Sequence, residues 1–207
     1  MIVQLPNEAK LVLLELLNQI FTSQEFPHQW SRYAIFFIPK NEKNKFRPIS
    51  LAPCLAKVME KLLNNRISWW LEHQNILPGS QNAFRKGRSC ADNLTLLCAD
   101  VLKSFKSGEA TAAMFLDIKA AYDNVLPDVL LFKLKRLGFP MNTLAFVYNL
   151  VSERSLRGLP QGSVLSPILY AIYMLELEQF MAVIFYNMLT MHVFTRVIRI
   201  LTRQLSE

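Results

Sequence analysis

Apolar residues recur at helical spacing along most of this 207-residue chain, and β-favouring runs are few and short. That pattern excludes a doubly wound parallel sheet, in which strands alternate regularly with helices. Leu13, Leu16, Leu17, Ile20 and Phe21 predict an amphipathic helix over Asn7–Phe21. Tyr33–Ile38 reads as a β-rich run ended by Pro39, with Asn41–Lys45 as a hairpin turn and Phe46–Leu51 as the returning strand. Pro53 opens a long helix that ends near His73, with Leu55, Val58, Met59, Leu62 and Leu63 inward. Pro78-Gly79 breaks the chain, and Gln81–Ser89 forms a basic loop. A second long helix follows from about Ala91 to Lys106, its apolar face carrying Leu94, Leu97, Val101, Leu102 and Phe105, with Gly108 past its end. The second half supplies a short apolar strand, Ala112–Leu116, then helices from Pro127 to Gly138 and from Asn142 to Ser152. The loop Gly158–Gly162 leads into an apolar helix from Val164 to about Glu178. The fold class these elements predict is α+β.

Composition narrows the function classes. An apolar share of 52% with 14 Phe excludes a disordered or collagen-like chain. Three cysteines, Cys54, Cys90 and Cys98, are too few for a disulfide scaffold and suit an intracellular, reducing compartment. The segment Met1–Lys10 has no secretory signal pattern, so the protein is not expected to be secreted. Gln179–Thr195 is free of charge for 17 residues. It falls short of the roughly 20 apolar residues a membrane span needs, so a buried or orphaned helix is the better reading. The net charge is +7, and it is concentrated: Arg32–Arg88 holds 11 Lys and Arg against Glu42, Glu60 and Glu72. Interleaved with Phe36, Phe37, Phe46, Trp69, Trp70 and Phe84, this block suits a polyanionic partner or, alternatively, forms a solvated basic face.

Two places could carry chemistry. Asp117, at the end of an apolar strand and six residues before Asp123, is placed as a metal ligand. Carboxylate oxygens suit Mg²⁺, and no His/Cys spacing there suits zinc. Its structural alternative is a helix N-cap. The loop Gly158-Leu-Pro-Gln-Gly-Ser-Val-Leu-Ser-Pro167 is neither a Walker loop nor a dinucleotide fingerprint. Its two glycines would let the backbone approach a ligand while Gln161 presents an amide; a turn feeding a helix N-terminus is the alternative.

In chain order, several stretches resemble one family, the reverse transcriptase domain of non-LTR (LINE-type) retrotransposons. They are Trp30 with Ile38-Pro-Lys40, Phe46-Arg-Pro-Ile-Ser-Leu51, Lys57-Val-Met-Glu-Lys61, Gln81-Asn-Ala-Phe-Arg-Lys-Gly-Arg-Ser89, Phe115-Leu-Asp-Ile-Lys-Ala-Ala-Tyr-Asp123 and Gly158–Pro167. The resemblance runs from about Leu5 to Glu178. It implies a partial right-hand polymerase: a fingers-like region over residues 1–108, a partial palm over 109–178, and a tail over 179–207 unlike the family. It implies an RNA template, a DNA primer and deoxynucleotides as partners, and Mg²⁺ as cofactor. By the same resemblance Asp117 is the catalytic metal ligand and the carbonyl of Ile118 helps hold the nucleotide-side ion. Lys40 and Arg47 grip the triphosphate, Tyr122 lies beneath the incoming sugar, and Gln161 and Gly162 meet the template–nucleotide pair. Arg85, Lys86 and Arg88 meet the nucleic-acid backbone.

The sequence also departs from the family. No Asp-Asp pair occurs anywhere, and no aspartate follows Asp128. Glu176 and Glu178 do not stand where the missing pair would. Only Ser155, Leu156 and Arg157 separate Arg154 from Gly158, where the family has a β-hairpin. Met1 falls within the fingers, which reads as a truncated fragment. These gaps predict an enzyme inactive as written or, alternatively, a basic relic that still binds nucleic acid. They also predict that the Ala112–Leu116 strand lacks neighbours and that the helix around Leu165–Leu177 lacks its packing surface.

Overall fold

The computed structural model of the chain describes residues 2–39, 46–108, 117–152 and 158–177. The expected turn at 41–45, the strand Ala112–Leu116 and everything beyond Leu177 lie outside them. The chain divides into two compact units, one of Met1–Trp70 with Ala120–Tyr173 and one of Leu71–Lys119 with Met174–Glu207. The described elements mix helices with one two-stranded sheet, an α+β arrangement.

In the first unit, α1 (Asn7–Ser23) ends because Gln24 turns left-handed at φ 62°. A 3₁₀ turn at His28–Ser31 follows, and it buries Trp30 edge-on against Phe26, ring centroids 5.7 Å apart. Strands β1 (Ala34–Pro39) and β2 (Phe46–Leu51) pair antiparallel, with Ile38 opposite Arg47 and Ala34 opposite Leu51. Helix α2 (Cys54–His73), whose residues from Leu71 on belong to the second unit, starts directly after Pro53, where the sequence places it. Its inward stripe is Ala56, Met59, Glu60, Leu63 and Ile67, while Leu55 and Leu62 are exposed. The expected face is therefore turned. Positions 55, 59, 62 and 56, 59, 63 both satisfy helical spacing, and buried hydrogen bonds to Glu60 decide between them.

The core of this unit lies among α4 (Pro127–Arg136), α5 (Met141–Ser152) and α6 (Ser166–Tyr173), with α4 against both others and α1 against α5. Pro127 opens α4, Asp128 sits in its first turn, and Lys133, Lys135 and Arg136 in its last, each favourable to the helix dipole. Leu130, Leu134, Leu150, Leu165, Leu169 and Ile172 are fully buried, each burial contributing roughly 1.5–3 kcal/mol. Two expectations are corrected here. Helix α6 does have a packing surface, in α4. It is also shorter than the sequence suggests, because the residues before it are tied down as a loop. At its other end Lys133 Nζ, 2.6 Å away, donates to the Tyr173 carbonyl.

In the second unit, α3 (Cys90–Lys106) starts on a capping box. The Ser89 hydroxyl accepts from the Asp92 backbone N–H, and the Asp92 carboxylate accepts from the Ser89 backbone N–H at 2.6 Å. Hydrogen bonds from the Ser89 backbone and hydroxyl, helped by nearby Arg88, hold the Asp92 carboxyl below the usual carboxylate range. Leu94, Leu102 and Phe105, expected on one apolar face, share it as expected but are all exposed among the described residues.

Candidate functional site

Three segments of the first unit are joined by their backbones. The turn Ala120–Asn124 closes through the Asn124 N–H on the Ala120 carbonyl at 3.0 Å, with Ala120 itself left-handed at φ 50°. The carbonyl of Tyr122 accepts from the Leu159 N–H at 2.9 Å. The carbonyl of Gln161 accepts from the Ser50 N–H, on β2, at 2.7 Å. The loop Gly158–Gly162 thus bridges the Tyr122 turn and β2, which carries Arg47 three residues before Ser50.

Both glycines of that loop are there for the protein's own backbone. Gly158 has φ +72°, and a Cβ on it would overlap the Tyr122 carbonyl oxygen and lie 2.9 Å from the Asp123 Cα. Gly162 has φ +108°, and its Cβ would lie 2.5 Å from the Ser50 carbonyl oxygen. What lies close to each of these glycines in the structure is the protein's own chain, the Tyr122 turn at Gly158 and β2 at Gly162.

A residue that sequence reasoning missed holds the far end of the loop. Glu60 is 1% exposed. Its Oε2 accepts from the Ser163 hydroxyl at 2.8 Å and from the Val164 N–H at 2.6 Å. The Ser163 hydroxyl also accepts from the Leu165 N–H at 3.2 Å, and the Ser166 hydroxyl donates to the Pro160 carbonyl at 2.8 Å. A lone carboxylate on the apolar stripe of α2 was the available signal, since isolated buried acids occur only where hydrogen bonds are waiting. Glu60 Oε1 and the Ser50 hydroxyl are buried without protein partners.

Of the expected nucleotide-contacting residues, Tyr122, Gln161, Gly162 and Arg47 therefore fall on one bonded assembly. Arg47 is exposed on β2. The Tyr122 ring is half-buried, edge-on to Tyr170 at 5.4 Å between centroids. Burial, and secondarily Tyr170, raise its hydroxyl above the ordinary phenol range. Lys40 lies outside the described residues.

The remaining expected residues belong to the second unit. Asp117 and Ile118 are both exposed, and Asp117 caps no helix, since turns follow it. Lys86 and Arg88 are exposed; Arg88 donates to the Gly79 carbonyl at 2.6 Å and to Asn82 Oδ1 at 2.9 Å. Arg85 is different. Its side chain is 8% exposed and forms a two-pronged pair with Glu72, Nε to Oε1 at 2.7 Å and Nη2 to Oε2 at 2.6 Å. Its Nη1 donates to the carbonyls of Pro78 and Gln81. The hydrogen bond from Arg85 holds the Glu72 carboxyl below the usual range against a smaller effect of burial. The Arg85 guanidinium ties the loop to the end of α2, within the second unit, and is occupied by these internal partners.

A Mg²⁺ ion wants about six oxygen ligands, usually with one or two carboxylates. Among the described residues no three His, Cys, Asp or Glu side chains gather as a ligand set. With no Asp-Asp pair in the sequence, the residues present do not fit a pair of catalytic ions. Among the described residues no helix is long and apolar enough to cross a membrane.

The family described as reverse transcriptase (RNA-dependent DNA polymerase) matches residues 38–195, a span that runs past Glu178. The chain is 33% identical over 193 residues to the probable RNA-directed DNA polymerase from transposon BS of Drosophila melanogaster, covering 84% of this chain and 21% of that protein. It is 34% identical over 194 residues to the corresponding X-element protein of the same fly, with the same shares. It is 31% identical over 189 residues to the RNA-directed DNA polymerase from mobile element jockey, covering 82% and 20%. The chain thus spans about a fifth of the length of these relatives.

Proposed function

We infer the function from one premise: this chain belongs to the reverse transcriptase (RNA-dependent DNA polymerase) family. It is the reverse transcriptase domain of a non-LTR retrotransposon, in the part that runs from fingers to palm of a right-hand polymerase, with fingers over 1–108 and palm over 109–178. Its partners are an RNA template, a DNA primer and deoxynucleotides. In this reading Lys40 and Arg47 meet the triphosphate, because fixed positive charge stabilises phosphoryl transfer. Tyr122 lies under the sugar, and Gln161 with Gly162 meets the nascent pair. Asp117, with the Ile118 carbonyl, is what remains of the metal site. Lys86 and Arg88 meet phosphates.

The observation that supports this most is the bonded assembly of the Tyr122 turn, the Gly158–Gly162 loop and β2. It joins residues 47, 122 and 161, which the sequence scatters and a nucleotide would have to meet together. Catalysis by this chain is another matter. In-line displacement with two metals requires carboxylates to hold both ions. One aspartate with no Asp-Asp pair does not supply them, so the chain binds template–primer without extending it.

The test is binding of an RNA–DNA template–primer as salt is raised. Affinity should fall linearly in log–log form, and removing one phosphate contact should flatten the slope by about one unit. Lys86→Ala, which touches no internal hydrogen bond given above, is the substitution to use. Binding indifferent to salt and to Lys86→Ala would mark the basic block as a solvated face.

A further inference from the structure

We propose that Phe84 is a stacking platform for an unpaired base of the template strand, with Lys86 meeting a phosphate beside it. The inference rests on the nucleic-acid reading above and adds a contact that charge alone does not supply. Phe84 is left-handed, at φ 61°. A bulky side chain rarely adopts that region, because its Cβ crowds the following carbonyl. Strain of this kind persists only where the surroundings over-determine it, and it gathers at functional positions. Here the surroundings are firm. The Arg85 side chain, 8% exposed, pairs two-pronged with Glu72 and donates to the Pro78 and Gln81 carbonyls. This lock holds the residue directly after Phe84. Beyond it, the Arg88 guanidinium donates to the Gly79 carbonyl and Asn82 Oδ1. The Arg88 backbone N–H closes a turn on the Arg85 carbonyl at 3.4 Å. Asn82, 4% exposed, donates from Nδ2 to Asn93 Oδ1 on α3 at 2.6 Å. All of these groups belong to the second unit.

That frame leaves two side chains uncommitted. The Phe84 ring is 50% exposed and has no ring partner among the described residues. Lys86 is exposed and makes no hydrogen bond or ion pair among the described residues. The exposed half of an apolar ring on a strained backbone gives the fold nothing. Stacked on a base it gains, since every base has a flat π face. Such a face is open only where the base is unpaired and splayed from its neighbours. Residues two apart lie at most about 7 Å from Cα to Cα, so ring and ammonium reach a base and a phosphate of the same strand. Glu72 does not repel that phosphate, because Arg85 already neutralises it.

The probe is a fluorescently labelled single-stranded RNA of mixed sequence, titrated with the full chain over a range of salt, beside a blunt RNA–DNA duplex. Phe84→Ala should weaken single-strand binding about tenfold at every salt concentration, the size of one lost stack. Phenylalanine carries no charge, so the salt slope should stay that of the parent, unlike the slope of Lys86→Ala. Phe84→Leu should lose as much as Phe84→Ala, whereas Phe84→Trp should bind as well as the parent. The indole of Phe84→Trp is the second unit's own reporter, since Trp30, Trp69 and Trp70 lie in the first, and its emission should be quenched as unlabelled RNA binds. Phe84→Gly accepts the left-handed backbone without strain, so it keeps the loop in shape and should still lose binding. The proposal is overturned if Phe84→Gly or Phe84→Leu binds RNA as well as the parent, or if the Phe84→Trp emission is not quenched. It is also overturned if Phe84→Ala weakens the blunt duplex as much as the single strand. A parent chain that binds neither probe would overturn the nucleic-acid reading itself, and this proposal with it.

Discussion

The two glycines Gly138 and Gly158 allow a controlled measurement of how firmly the loop is clamped to the Tyr122 turn. Both are left-handed, at φ +79° and φ +72°, and both belong to the first unit. An alanine at either must adopt the left-handed region, at a cost of about 1–2 kcal/mol. Around Gly138 nothing lies within 4 Å of a new Cβ, so Gly138→Ala should lose only that. At Gly158 the new methyl meets the Tyr122 carbonyl oxygen and the Asp123 backbone. These are main-chain atoms, so no flexible side-chain end can swing away. Overpacking adds about 1–3 kcal/mol. Displacing the Leu159 N–H from the Tyr122 carbonyl adds about 1 kcal/mol more. Gly158→Ala should therefore cost about 3–6 kcal/mol, roughly three times the cost of Gly138→Ala. Urea unfolding followed by tryptophan fluorescence reports on this unit alone, because Trp30, Trp69 and Trp70, the chain's 3 tryptophans, all lie in it. Equal losses for the two variants would refute the close approach of the loop to the Tyr122 turn.

Glu60 and Glu72 each anchor a hydrogen-bonded network, Glu60 buried and Glu72 41% exposed. Glu60→Ala removes a carboxylate that accepts two hydrogen bonds at the end of the loop, and should destabilise the first unit by about 2–4 kcal/mol in the same urea assay; a neutral effect would mean the loop holds without it. In the second unit Glu72 has its folded pKa lowered by Arg85, so its contribution to stability is present above the ordinary glutamate value and is lost as pH falls through the lowered one. A ¹³C carboxyl titration should place the Glu72 midpoint below that of an unperturbed glutamate, and Arg85→Lys should move it back up, since an ammonium cannot make the two-pronged pair. An unmoved midpoint would contradict the lock.

Much of the architecture is legible in the residues themselves. Pro53 and Pro127 mark where α2 and α4 begin, and Gly138 marks where α4 stops, because proline and left-handed glycine act on the local backbone. What the pattern does not determine is which carbonyl meets which amide. Glu60 and Ser163 are 103 residues apart and Arg85 and Glu72 are 13 apart, and no local preference links them. For this reason Arg85 reads from sequence as one more surface cation, although its charge is already used inside the unit. The face of α2 is ambiguous for a related reason: two stripes share the same period, and only the buried partners of Glu60 break the tie. The roles proposed for Tyr122 and Gln161 come from resemblance to a family, and the backbone bonds bring the two residues onto one assembly. The Gly158 and Gly162 requirement for empty space against chain, by contrast, needs the folded neighbours to be visible at all.

Primer extension tests the reading of the metal site most directly. The whole chain is incubated with an RNA template, an annealed DNA primer and deoxynucleotides, with Mg²⁺ and separately with Mn²⁺, at the low salt at which binding is expected. Because Asp117 stands without an Asp-Asp pair anywhere in the sequence, the primer should remain unextended while the complex forms. Template-directed incorporation that disappears on Asp117→Ala would contradict it, and would mean that residues other than those identified complete the metal site.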